Sequence, residues 1–162
     1  MISDPTVETN AMQTVIRQLS LHDYKSIKDI FHDAFDCHAC SEKDCGDSWK
    51  NRSIPDSYGI FSTEDDLLGF AIVSFHKKNG TNRYLDYLAV HSAFRGQDLG
   101  SKLLGYILAI CREKRESIHL YPVENERIKA WYRAQGFRDT AGGYMNQHFY
   151  ETRLSSANNR ND

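Results

Sequence analysis

Apolar positions recur at helical spacing in three stretches of this chain and at strand-like spacing between them. In residues 22–35, Tyr24, Ile27, Ile30, Phe31 and Phe35 fall on one stripe, which predicts a helix with a single buried face. Leu99, Leu103, Leu104, Ile107, Ile110 and Cys111 repeat the spacing and predict a second helix running to about residue 115. A third opens at Asn125, a residue type whose side chain satisfies unpaired helix amides. It carries Ile128, Trp131 and Tyr132 on one face and stops at Gly136, which tolerates the left-handed backbone of a helix end. Strand-like runs occupy residues 14–19, 58–62, 67–76, 84–90 and 117–121. The run at 67–76 is apolar throughout, as a strand covered on both faces should be, and Glu64, Asp65 and Asp66 turn the chain into it. Residues 137–140 and 144–154 are expected to close the domain as a hairpin through Gly142 and Gly143. Between the first helix and the first hairpin lies a polar, cysteine-bearing loop.

Residues 88–104 join an apolar strand to a polar glycine turn and then to the second helix. The first amides of a helix lack intrahelical acceptors and sit at the positive end of its dipole, so Gly96, Gly100 and Ser101 open a turn suited to a pyrophosphate. The spacing is neither Gly-x-x-x-x-Gly-Lys-Ser/Thr nor Gly-x-Gly-x-x-Gly, so the nucleoside-triphosphate and dinucleotide fingerprints are both missing.

Composition places the chain among single globular domains: 162 residues, 40% hydrophobic and 26% charged. Domain limits of 13–154 are expected, with a frayed segment at 1–12 and a polar disordered tail at 155–162. No basic region followed by an apolar stretch opens the sequence, and nowhere do 18 apolar residues run together, so a cytoplasmic protein with no membrane partner is expected. The net charge of −2 hides an asymmetry. Residues 21–66 hold eleven acids against five bases, and residues 67–162 nine acids against fourteen bases. That polarity suits an anionic ligand on the basic side and a cationic one on the acidic side, while a pI near 6.4 argues against dedicated nucleic-acid binding.

Two segments in order carry a resemblance. Leu88 to Leu104, with Arg95 leading and Gly100 closing its turn, and Asn125 to Phe137, reading Asn-Glu-Arg-Ile-Lys-Ala-Trp-Tyr and ending in Gly-Phe, resemble the GNAT superfamily of acetyl-CoA-dependent N-acetyltransferases. Asp98 departs from the pattern, standing where the family usually has glycine. The resemblance spans roughly residues 14–154 and implies an α/β (α+β) fold, a mixed but mostly antiparallel sheet of six to seven strands flanked by helices on both faces. It implies acetyl-CoA as cosubstrate, bound by Leu88, Ala89, Val90, Arg95, Gly96, Gln97, Asp98, Leu99, Gly100, Ser101, Lys102, Asn125 and Tyr132. A homodimer is a further candidate assembly by the same resemblance.

Transfer of an acetyl group to an amine sets two proton problems. An alkyl ammonium of pKa ~10.4 is neutral in about one molecule in a few thousand at pH 7, a deficit of roughly 4–5 kcal/mol. Asp86 is the candidate base, directly or through water, and an ion pair with Arg83 is its structural alternative. The departing thiolate needs a proton, and by resemblance Tyr132 supplies it; a buried tyrosine serving only the core is the alternative there. The expected acceptor is a primary amine: a small amine or polyamine, a lysine side chain or an N-terminus. Two other functions fit parts of the sequence. One is an acyl-CoA-binding sensor or interaction module. The other is a metal-binding interaction module on Cys37, Cys40 and Cys45 with His32 or His38, although half of a zinc ribbon's paired spacing is missing, Cys111 lies far off, and no metal is expected.

Overall fold

A computed structural model describes residues 11–35, 42–75 and 82–149. Seven strands, β1 (Thr14–Gln18), β2 (Tyr58–Ser62), β3 (Leu67–Phe75), β4 (Asn82–Val90), β5 (Ser117–Leu120), β6 (Arg138–Asp139) and β7 (Met145–His148), form one sheet. Its order is β1-β2-β3-β4-β5-β7-β6, and every neighbouring pair is antiparallel except β4 with β5. Helices α1 (Tyr24–Ala34), α2 (Glu42–Lys50), α3 (Leu99–Lys114) and α4 (Glu126–Ala134) cover its two faces. The implied mixed, mostly antiparallel fold is the one observed.

The period-two alternation of the strands sorts the core into two layers. Tyr58, Ile60, Leu68, Val73, Leu85, Ile118, Leu120 and Met145 face α3, which buries Leu99, Leu103, Leu104, Ile107 and Cys111 against them; Trp131 and Tyr132 of α4 pack on the same layer. Phe61, Phe70, Ile72 and Ala89 face the other way, onto Ile27, Ile30 and Phe31 of α1 and Cys45 and Trp49 of α2.

Three expectations need correction. The stretch read as a loop contains α2, whose Cys45 and Trp49 lie one turn apart and fully or nearly buried, with Tyr24 stacked on Trp49 at 5.3 Å. Two apolar residues in a polar nine-residue helix are too few to reveal a period. In the closing hairpin the described strands are β6 and β7, joined through a 3-10 turn with Gly142 and Gly143 at φ 78° and 82°, in place of strands opening at 137 and 144; residues 150–154 of the expected second strand lie outside the described residues. Met12, placed in the frayed segment, packs against the α3 layer. Residues 1–10 and the tail at 155–162 lie outside the described residues.

At the base of β4, Arg83 is 2% exposed and binds Asp56 at 3.2 Å and also Glu116, just beyond α3. Removing one member of so buried a cluster would strand the others' charge, so it pins β4 to the segments that lead into β2 and β5.

Candidate active site

β4 and β5 run parallel but pair only over Asn82–Tyr84 with Ser117–His119. Beyond that point the strands part, and the edge of β4 facing β5 is left open. On its other edge, the His91 amide donates to the Leu68 carbonyl at 2.9 Å. Hydrogen-bonded and non-hydrogen-bonded pairs alternate along an antiparallel ladder. Ala89 therefore exchanges its bonds with Phe70, whereas Leu88 and Val90 turn their main-chain groups into the gap. The Arg95 Nε donates to the Val90 carbonyl at 3.4 Å from that side.

The chain then enters the turn. Gly96 has φ 83°, and Asp98, at the position where glycine was expected, has φ 58° and ψ 22°. Both are left-handed, which explains a glycine preference at each; aspartate is among the side chains that best tolerate it. The Asp98 side chain is exposed and makes no capping hydrogen bond to α3. The start of α4 differs: Asn125 Oδ1 accepts from the amides of Arg127 at 2.9 Å and Ile128 at 3.2 Å.

The turn is fastened from behind. Asp33, near the end of α1, accepts from both the amide and the hydroxyl of Ser92 at 2.7 Å, and these bonds hold its carboxyl below the ordinary carboxylate range. His91 Nδ1 accepts from the Ala93 amide at 3.1 Å. The first helix and the glycine turn are thereby joined.

Between the gap, the turn and α4 lies a cavity of about 380 Å³. Of the expected cosubstrate-binding residues, Leu88, Ala89, Val90, Arg95, Gly96, Asp98, Leu99, Gly100, Ser101 and Tyr132 line it, while Gln97, Lys102 and Asn125 do not. Phe94, Ile128 and Trp131 complete the lining. A Cβ on Gly100 would lie 3.7 Å from Trp131 and 3.8 Å from Val90, so the fold has room for a side chain there and the cavity wall is left bare instead. The uncapped helix start, the inward main-chain groups of Leu88 and Val90 and the apolar α4 wall together fit a ligand with an anionic diphosphate and an apolar arm.

Tyr132 sits between Trp131 and Phe137, ring centroids 5.0 and 5.6 Å away, and burial pushes its hydroxyl up to about 12. Its hydroxyl therefore stays protonated at neutral pH. Asp86 occupies different ground. Ile72 faces Tyr87 but Val73 faces Leu85, so Asp86 is an extra, bulged residue of β4. Ser74 Oγ donates to its Oδ1 at 3.1 Å, on the face of the sheet opposite α3. Arg83, the alternative ion-pair partner, lies on the α3 face with Asp56 and Glu116. Asp86 does not line the cavity, so the two candidate proton groups lie on opposite faces of the sheet, either side of the gap.

Cys37, His38 and Cys40 lie outside the described residues, and Cys45 is wholly buried among apolar side chains. Among the described residues, no group of three or more His, Cys, Asp or Glu could hold a metal ion.

A parted parallel pair followed by an uncapped helix start defines a cleft for a phosphate-bearing cosubstrate in an α/β domain. The chain belongs to the acetyltransferase (GNAT) family, whose model matches residues 24–137. It is thus an N-acetyltransferase by family, with acetyl-CoA as cosubstrate. Among curated proteins, none matches the sequence. Solved structures do match in fold. The Arabidopsis thaliana Naa50 in complex with the bisubstrate analogue CoA-Ac-MVNAL superposes with TM-score 0.66 at 18% identity, over 84% of this chain and 99% of that one. The ribosomal-protein-S18-alanine N-acetyltransferase of Escherichia coli gives 0.69 at 18%, over 85% and 94%. A GNAT family N-acetyltransferase (YhbS) from Escherichia coli in complex with CoA gives 0.71 at 17%, over 95% and 88%. At such identities the likeness is one of fold. No helix among the described residues is long and apolar enough to cross a membrane.

Proposed function

We propose that this chain transfers the acetyl group of acetyl-CoA to a cationic primary amine by direct attack. The supporting observation is the cavity at the parting of β4 and β5, with the uncapped start of α3 at one end and Tyr132 in its wall. Acetyl-CoA supplies the activated thioester. The amides of Gly100 and Ser101 take the pyrophosphate, with Arg95 and Lys102 adding positive charge and Gln97 a further donor at the rim. Leu88 and Val90 offer main-chain donors to the acyl arm and to oxygen charge as it grows. Tyr132 protonates the departing sulfur. Asp86 accepts a proton from the amine on the opposite face, and Asn125, by capping α4, holds Tyr132 in place.

The acidic balance of residues 21–66, which build α1 and α2 on the face where Asp86 lies, supports a cationic acceptor: a polyamine or other small amine, a lysine side chain or an N-terminus. The buried free thiol of Cys111 accords with a reducing, cytoplasmic setting. The test is a panel of amines, including N-terminal and lysine peptides, incubated with acetyl-CoA and read by mass spectrometry. An acetylated product is expected from at least one. Asp98 favours a second reading, because it sets a carboxylate in the very turn proposed to hold a diphosphate. Thermal stabilisation by acetyl-CoA with no product from any amine would establish that reading, a non-catalytic acyl-CoA sensor.

A further inference from the structure

A second pocket lies at the β6 edge of the sheet. β6 pairs with Met145 and Asn146 of β7, and the chain that enters it from α4 passes Gly136 before Arg138. Met145 faces α3, so alternation turns Gln147 and Phe149 to the same side, past the end of the pairing with β6. Between these residues and the last turn of α3 lies a pocket of about 330 Å³, with Arg112, Gly136, Arg138, Gln147, His148 and Phe149 in its lining. It shares no lining residue with the cosubstrate cavity. From Gly100 to Arg112 the axis of α3 rises about 18 Å, at roughly 1.5 Å per residue, so the two pockets hold separate ligands.

Two guanidinium groups line this second pocket without a counter-charge. Arg112 lies over the Phe149 ring, 5.2 Å from its centroid, a contact that holds the guanidinium in place without using up its charge. At Arg138 the neighbouring acid, Asp139, is already taken by Arg133 through bonds of 2.8 and 3.3 Å. Among the described residues no Asp or Glu lines the pocket, and neither Arg112 nor Arg138 makes an ion pair. Gln147 adds an unmet polar group: its Oε1 is buried with no hydrogen-bond partner. Buried side-chain polar atoms are in large majority paired, so an open one marks a place for a ligand or a water. The carboxamide rests against Gly136, where a Cβ would come within 2.6 Å of its Nε2. Half a turn about its last bond exchanges acceptor for donor at the open position.

We infer that this pocket binds a small phosphate-bearing anion between the guanidinium groups of Arg112 and Arg138, with the Gln147 carboxamide as a further donor. Arginine presents its N–H groups in a planar fork that matches phosphate oxygens. Two such charges balance a phosphate group, which carries about −1.5 to −2 at neutral pH, whereas a single carboxylate would leave one of them uncompensated. Fourteen bases against nine acids in residues 67–162 then serve two anions: Arg95 and Lys102 stand at the cosubstrate turn, Arg112 and Arg138 here. The size of the pocket suits inorganic phosphate or a small phosphomonoester. Nothing in this inference depends on acetyl transfer, since the pocket lies apart from the cleft.

The test is a titration of the isotope-labelled protein with inorganic phosphate and, in parallel, with methyl phosphate, at an ionic strength held constant with chloride and read residue by residue from amide resonances. Saturable shifts are expected at Gln147, His148 and Phe149, with a Kd of about 1 mM or below. Reading each resonance separately tells this site from anion uptake at Gly100 and Ser101. Tighter binding of methyl phosphate would support the pocket with an organic phosphate as its ligand, and equal or tighter binding of inorganic phosphate would support it with the free ion. Arg112→Gln and Arg138→Gln are each expected to weaken binding about tenfold and together to abolish it, while Arg127→Gln, exposed and outside the pocket, leaves it unchanged. Should a glutamine variant lose the native spectrum, Arg112→Lys or Arg138→Lys, which keeps the charge and loses the fork, takes its place and is expected to weaken binding in the same direction. Shifts that fail to saturate, or that persist unchanged in the double variant, would mean an adventitious ion only and would overturn the inference.

Discussion

The starts of α3 and α4 are two helix N-termini at the edge of one cavity, and they are finished in opposite ways. At α4 the Asn125 carboxamide closes the helix onto itself, accepting from two amides. At α3 the equivalent residue, Asp98, is left-handed and its side chain caps nothing. A closed N-terminus has no use for an anion; an open one retains both its donors and its dipole for one. The helices thus contribute to the cleft in different currencies: α3 through its main chain, α4 through the side chains of Ile128, Trp131 and Tyr132. Substitutions on α4 should therefore touch turnover and stability, and those at the start of α3 affinity.

The largest effect is expected at Tyr132. Tyr132→Phe should reduce kcat about 100-fold while acetyl-CoA affinity, measured by calorimetry, changes little. Because burial raises the hydroxyl to about 12, the acid form persists as pH rises, and no loss of turnover from this group is expected below about pH 11. Next comes Gly100→Ala. The fold accommodates the methyl, so the helix should gain some stability, yet the added carbon narrows the diphosphate cradle and should weaken acetyl-CoA binding about tenfold, or 1.4 kcal/mol. Asn125→Ala removes the cap of α4 and should cost about 1 kcal/mol, a fall of roughly 2–4 °C in Tm, with cosubstrate affinity nearly unchanged. Loss of affinity in place of stability would erase the contrast between the two helix starts. Smallest is Asp98→Gly, which relieves a left-handed backbone and removes a negative charge from the open end; a two- to five-fold gain in acetyl-CoA affinity is expected, about 0.4–1 kcal/mol.

Much of this architecture can be read from the chain because strands and helices bury one face at a time. Ile27, Ile30 and Phe31, or Leu103, Leu104 and Ile107, announce their helices by spacing alone. Helix α2 stays hidden because Cys45 and Trp49 carry its burial between polar residues and Gly46. The glycine turn is legible since positive φ restricts its residue types. Phe94, Ile128 and Trp131 are not, because an apolar side chain looks the same whether it lines a cavity or fills a core. Nor can alternation say where Asp86 points, since a bulge shifts the period at that residue.

Asp86 is also a residue that the sheet does not require. Without it, Leu85 and Tyr87 would be consecutive and would still stand opposite Val73 and Ile72 on alternate faces. Removing Leu88 or Ala89 instead would exchange the inside and outside of the strand's end. β4 therefore holds one supernumerary position, free to vary in identity without repacking either layer, directly beside the fork where acetyl donor and acceptor are proposed to meet.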